Sequence, residues 1–236
     1  MKDIYPSDRG REVFRVMELT TNFVGGAASG FTATAASGTV AGLTTAGGGV
    51  SLLTQAADNA VATLVSAAAC AALAAGQPIR FGAKVSAVQA NTNALNIFIG
   101  LCSGTASAVL ANDGAGPPAN YSGAGFFGVD GDLVMSLEVS NATTQTTHRL
   151  TADVSGSGAQ VLVASSTYRL FEIEISPKTS ALADVVFMID GVVIKKITDW
   201  VYTSLAAMQW AVVIKAGSTT AETVKCNGAY FAQVFA

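Results

Sequence analysis

Charge is scarce in this chain. Asp, Glu, Lys and Arg together make up 12% of its 236 residues, about half the roughly 25% of an average soluble protein. The balance is 13 basic against 16 acidic residues, a formal net charge of −3. That composition lacks the basic footprint of a nucleic-acid binder, so no nucleic-acid partner is expected. With few charges available, the surface must be built from Ser, Thr, Asn, Gly and Ala. Such a surface repels its neighbours weakly and suits packing against other copies or partners. Histidine is limited to His148, and cysteine to Cys70, Cys102 and Cys226. Three widely spaced cysteines without a CxxC pair suggest neither a disulfide framework nor a zinc knuckle, and they read as buried free thiols of a reducing compartment. Long apolar runs are missing too. The longest, Val61 to Ala75, is mostly Ala and is broken by Thr63 and Ser66; at about 15 residues it falls short of the roughly 20 that span a bilayer. No membrane partner is expected. The opening stretch carries Lys2, Asp3, Asp8, Arg9, Arg11 and Glu12 and does not read as a signal peptide.

What the chain has in quantity is two-residue alternation. Ile79, Phe81, Ala83, Val85 and Ala87 would share one face of a strand, with Arg80, Gly82, Lys84 and Ser86 on the other. The same period runs through Leu95 to Leu101, Leu133 to Val139, Arg169 to Ile175, Trp210 to Ile214 and Phe231 to Phe235. A period of two places alternate side chains on opposite faces, so that one face covers a core. Asp130-Gly131 and Asp190-Gly191 each separate two apolar runs. Asp-Gly supplies the positive φ angles of a type I′ turn, so both sites predict tight hairpins. One pairs Phe126 to Val129 with Leu133 to Met135, and the other pairs Val185 to Ile189 with Val192 to Ile194. Ala57 to Ala75 is helical by propensity, but Val61, Thr63 and Val65 alternate, which predicts a strand near Val61 to Ser66 followed by a loop or a single helical turn. About a dozen short strands result. They predict an all-β, two-sheet antiparallel sandwich over residues 31–236, preceded by an N-terminal arm over residues 1–30.

The order of these pieces resembles the concanavalin A-like jelly rolls, the lectin, glucanase and laminin-G-like superfamily. Gln77 to Val85 followed by Asn96 to Leu101 is similar to the paired early strands of that fold. Gly125-Phe126-Phe127 and Tyr168 to Ile175 follow, and Val186-Phe187-Met188-Ile189-Asp190-Gly191 is similar to its V-x-F-x-x-D-G hairpin. The low-charge, Gly- and Ala-rich style looks like versions of the fold carried by tailed bacteriophages as decoration or cement proteins. The resemblance implies a jelly roll and a non-enzymatic virion structural protein on the capsid surface, assembled in the host cytoplasm. Its partners would be the major capsid protein and itself, as a homodimer or homotrimer. Tyr5, Arg9, Arg11, Phe14 and Arg15 on the arm are the expected capsid contacts, being types enriched at interface hot spots. The alternative is a carbohydrate-binding, lectin-like module of a virion surface or tail fibre, with Trp200 and Tyr202 stacking on a sugar ring.

Enzymes of this superfamily place alternating carboxylates, Glu-x-Asp-x-x-Glu, on one strand, because glycoside cleavage needs an acid and a nucleophile about 5 Å apart. Glu172 and Glu174 match in part, but Pro177 stands where the pattern ends; a solvated sheet face is expected instead, and no catalytic residue is assigned. Lectin-type relatives bind calcium through Asp and Asn on neighbouring loops. Asn112-Asp113 and Asp130-Gly131-Asp132 are the candidates, too few oxygens for the six to eight that calcium takes, so no metal and no cofactor is expected. His148 with Ser157 lacks the setting of a hydrolytic triad. Gly123 to Gly128 matches Gly-x-Gly-x-x-Gly by letter alone, without the strand and helix that a dinucleotide site requires.

Overall fold

In the computed structural model the described residues are 31–43, 48–66, 69–88, 95–132, 134–150, 167–202 and 207–233. The arm, and with it Tyr5, Arg9, Arg11, Phe14 and Arg15, lies outside them, as does Ser157. Fourteen strands lie among the described residues: β1 (Phe31–Ala35), β2 (Gly38–Gly42), β3 (Val50–Thr54), β4 (Val61–Ser66), β5 (Ile79–Val88), β6 (Leu95–Cys102), β7 (Ser122–Gly128), β8 (Ser136–Asn141), β9 (Gln145–Arg149), β10 (Arg169–Pro177), β11 (Leu182–Ile189), β12 (Val192–Val201), β13 (Gln209–Ala216) and β14 (Thr223–Gln233). They form two seven-stranded antiparallel sheets. Sheet I has the order β1-β4-β13-β6-β7-β8-β9, and sheet II the order β12-β11-β10-β5-β14-β3-β2. This is the two-sheet sandwich that the alternation predicts, and the Ala-rich stretch opens as strand β4.

The sheets meet through the residues the period picked out. Ile79, Phe81, Ala83, Val85 and Ala87 of β5 are fully buried, as are Ile173 and Ile175 of β10 and Val212 and Ile214 of β13. Phe126 of β7 reaches across the interior to Phe171 and Phe187, each at 5.2 Å between ring centroids and edge to face. Phe81 of sheet II meets Trp210 of sheet I in the same manner at 5.4 Å. Strand β6 departs from a simple alternation, because all eight of its residues are buried. Leu95, Ile97, Ile99 and Leu101 face the main core. Phe98 and Cys102 face a second cluster on the far side of sheet I, with Val213, Ala211, Tyr121, Val109 and Leu110. A segment of chain must therefore roof the outer side of sheet I, and residues 103–121 do so.

Of the two expected hairpins, one forms as drawn. Asp190 and Gly191 have φ of 51° and 78°, and Ile189 pairs with Val192 across them, a type I′ turn. Gly191→Ala places a Cβ at a left-handed position, which costs roughly 1–2 kcal/mol; a loss of stability in that range is expected in urea unfolding. At the other site only Gly131 has positive φ, 79°. Strand pairing starts at Phe127 with Ser136 rather than next to the Asp-Gly pair. The register follows burial: it sets Leu137 against Phe126 and Val139 against Ala124, all in the main core. The turn itself is anchored elsewhere, with the Asp130 N–H donating to Asn96 Oδ1 at 2.9 Å.

Candidate functional site

Residues 103–121 form the longest connection that is fully described. Long ordered loops on a rigid scaffold are where binding sites concentrate. This one leaves the end of β6, where the Ser103 N–H donates to Ser122 O at 2.9 Å. It runs over the outer face of sheet I and returns to β7 as a strap. Its underside is apolar: Ala106, Val109 and Leu110 join Phe98 and Val213. A lane of small residues makes room for the rings beneath. Gly100 stands between Ala211 and Gly125 in the sheet, and a Cβ on Gly125 would lie 2.3 Å from the Phe98 ring. Phe98 in turn packs edge to face on Tyr121 at 5.5 Å.

At its base the strap encloses a cleft of about 200 Å³, lined among others by Ser103, Thr105, Pro118, Asn120 and Tyr121. Hydroxyl, amide and aromatic groups supply its chemistry, with no charged side chain among them. Tyr121 is 5% exposed, and its hydroxyl has no hydrogen-bond partner among the described residues. Burial, followed by the nearby Cys102 and Glu138, pushes that hydroxyl well above the ordinary tyrosine range. Gln145 of β9 ties the strap to the sheet, its amide donating to Pro118 O at 3.0 Å and to Glu138 Oε1 at 3.1 Å.

Glu138 itself is 3% exposed. Burial raises its carboxyl above the usual range, against the hydrogen bonds from Thr147 and Gln145. A carboxyl raised by folding holds its proton more tightly in the native than in the unfolded chain. Its contribution is therefore full below the unfolded pKa and is lost as pH rises through the folded one. Glu138→Gln keeps the shape and the acceptor without the charge. The variant is expected to match the wild type near pH 4 and to be more stable near pH 7, read from urea midpoints at the two values.

At its tip the strap is pinned to the other end of sheet I. Lys215 of β13, 6% exposed, donates its ammonium to Leu110 O at 2.9 Å and to Asn112 Oδ1 at 2.8 Å. Beside it the Asp113 N–H donates to Asn59 Oδ1 at 2.9 Å, and the Asn59 amide returns a bond to Asp113 Oδ1 at 3.2 Å. The two loops weighed as calcium ligands do come together here, since a Cβ on Gly114 would lie 2.3 Å from Asp130 Cβ. Among the described residues no three His, Cys, Asp or Glu gather into a metal cluster, and the cation at this junction is Lys215.

The other residues marked from the sequence are placed as follows. Trp200 and Tyr202 are neighbours, with ring centroids 6.1 Å apart and planes tilted by 43°. They are only 6% and 4% exposed, within the main core, and the Tyr202 hydroxyl donates to Thr179 O. Neither ring offers an open face, which corrects their assignment as a sugar platform. Glu172 is not on a solvated face: it is 4% exposed, accepts from Arg80 Nη2 at 2.9 Å and from the Tyr230 hydroxyl. The Tyr230 ring crosses β5 over Gly82, where a Cβ would lie 2.3 Å from it. Burial and the bond to Glu172 push the Tyr230 hydroxyl up. Glu174 remains half-buried. His148 sits on the edge strand β9, with its imidazole held below the usual range by burial and by Lys195. Gly123 to Gly128 is strand β7 and no phosphate loop. The cleft went unmarked in the sequence, although the Gly-, Pro- and Asn-rich run from Ser103 to Asn120 between two strands was a visible signal.

No family model matches this sequence, and neither does any curated protein. Solved structures do resemble it. The carbohydrate recognition domain of Emp47p aligns with TM-score 0.59 at 12% identity, over 96% of this chain and 100% of that one. A protein of unknown function from Shewanella oneidensis MR-1 aligns with TM-score 0.56 at 12% identity, over 93% and 87%. An endo-β-1,4-glucuronan lyase from the fungus Trichoderma reesei aligns with TM-score 0.57 at 9% identity, over 83% and 87%. At such identities the likeness is one of fold alone, a two-sheet antiparallel sandwich of the jelly-roll kind.

Proposed function

We propose that this chain is a non-catalytic, lectin-like carbohydrate-binding module that seats a neutral sugar in the cleft at the base of the 103–121 strap. The observation that carries the reading is the cleft itself: about 200 Å³, with the hydroxyls of Ser103 and Thr105, the amide of Asn120 and the edge of Tyr121 around it. A sugar ring asks for fixed hydrogen-bonding groups beside an apolar wall, and neutral groups suit a neutral ligand. The shared fold with a carbohydrate recognition domain raises the prior without establishing the activity. The absence of catalysis is part of the proposal. It is supported by Glu172, whose carboxylate is engaged by Arg80 and Tyr230 rather than standing free beside Glu174. The test is a glycan array followed by calorimetry on the best hit. Asn120→Ala combined with Thr105→Val is expected to weaken binding by about tenfold or more, the loss of one or two hydrogen bonds. A silent array ends this reading.

The setting we propose for the module is a bacteriophage virion, as a capsid decoration protein bound to the major capsid protein. Two observations favour it. Charged residues are only 12% of the chain. The ten-residue edge strand β12 also carries exposed Val192, Val193 and Val201, apolar surface that a partner would cover. Saturable co-sedimentation with phage heads that lack the protein, lost on deleting residues 1–22, is the expected result. Heads that leave it in the supernatant remove the capsid role and leave the sugar reading standing.

A further inference from the structure

Beside the Asn59–Asp113 clasp, the strap tip is held by one ammonium group from the end of an interior strand of sheet I. Lys215 is the last but one residue of β13, and its ammonium sits between Leu110 O and Asn112 Oδ1. Burial lowers the ammonium below the usual lysine range, and the nearby carboxylates of Asp113 and Asp58 offset part of that effect. The surroundings are those of a small cation: a main-chain carbonyl, an amide oxygen and two carboxylates a little further out. Asn59 and Asp113 both adopt left-handed backbone, at φ 61° and 56°, to reach this junction.

We infer that Lys215 fills, with its own ammonium, a binding site for a small monovalent cation, and that the occupied site positions the strap and so the cleft. Lys215 is then a positioning residue. Its ammonium bonds to Leu110 and Asn112, outside the cleft lining, and it acts through them on the chain that continues to Val109 and Ala108, which do line it. The last step rests on the proposed sugar-binding reading, whereas the cation site does not.

The test is chemical rescue. Lys215→Ala deletes the ammonium and leaves the oxygens. Thermolysin cleavage at Val109–Leu110, silent while the strap is pinned, is expected to speed up by about tenfold or more. Methylammonium chloride at roughly 0.1 M is expected to restore protection by binding the folded state alone; tetramethylammonium chloride, too large for the site and matched in ionic strength, is not. Lys215→Met, whose side chain fills the space without a charge, is expected to loosen the strap and to ignore both salts. If Lys215→Ala does not fold unaided, its refolding yield in the two salts reads the same preference. Protection unchanged in Lys215→Ala, or restored equally by both salts, overturns the cation site. For the positioning step, affinity for the array's best sugar is expected to fall in Lys215→Ala and to return with methylammonium; affinity that stays at the wild-type value overturns that step. A wild type that binds no sugar sinks the functional reading, and the cleavage result still decides the cation site.

Discussion

Phe126→Ala is expected to destabilise the fold by about 3–5 kcal/mol, the range for deleting a buried aromatic side chain. Phe126 is fully buried. It is a bridge between sheets as well as a core residue, since β7 belongs to sheet I whereas Phe171 and Phe187, its two edge-to-face partners at 5.2 Å, belong to sheet II. Each such contact adds about 0.5–1.5 kcal/mol beyond area burial, and the substitution removes both. The two partner rings project from adjacent, hydrogen-bonded strands of sheet II, whose fixed register limits how far they can close over the gap, so a large cavity term is expected. For a chain of this length the loss corresponds to a fall in melting temperature of roughly 10 °C. Phe126→Leu, which leaves most of the volume in place, is expected to cost less than half as much. Calorimetric melting of the two variants checks the pair. Equal and small losses would mean that the sheets are joined chiefly through Phe81 and Trp210, at the other aromatic contact.

The alternation was legible because each strand of sheet II has one covered face. Ile79 through Ala87 and Phe171 through Ile175 could be assigned to the core from their spacing alone, and they are there. Sheet I was harder to read. Phe98, Cys102, Ala211 and Val213 sit opposite to the core-facing row and would count as exposed by period, yet they are buried under the strap. A second covered face turns an alternating strand into a continuous apolar run, and β6 is one. The same limit explains the misplaced platform. Trp200 and Tyr202 two residues apart read as a pair of open rings, but the bulge at Ala183 and Val185 and the positive φ of Asp199, 56°, turn both toward the core. The Glu172 environment was invisible for a different reason: its partner Tyr230 lies 58 residues away, and only the strand order β10-β5-β14 brings the two across Gly82. Lys215 stood in a strand pattern as an ordinary polar position, and nothing local to it shows the loop that it holds.

Gly125→Val carries the strap argument furthest. A Cβ at Gly125 would lie 2.3 and 2.5 Å from two atoms of the Phe98 ring, and valine adds two further carbons in the same space. A Cβ at Gly82 would meet the Tyr230 ring at the same 2.3 Å, so by distance alone the two sites are equivalent. They differ in what lies above the ring. Tyr230 is half-buried on the outer face of sheet II and can lift toward solvent, giving up its bond to the Glu172 carboxylate, a loss of about 1.5–2 kcal/mol. Phe98 is fully buried, with Tyr121, Val109 and Leu110 over it. It can move only by raising the strap, which Lys215 and the Asn59–Asp113 clasp hold down. Gly125→Val is therefore expected to cost about 3 kcal/mol, at the upper end for overpacking, and to weaken sugar binding because Tyr121 moves with Phe98. Gly82→Ala is expected to cost about 1.5–2 kcal/mol and to leave binding alone. Urea unfolding and calorimetry on the two variants side by side decide the matter: equal costs would mean that the strap yields as easily as solvent, and a cleft so loosely walled could not hold a sugar in one pose.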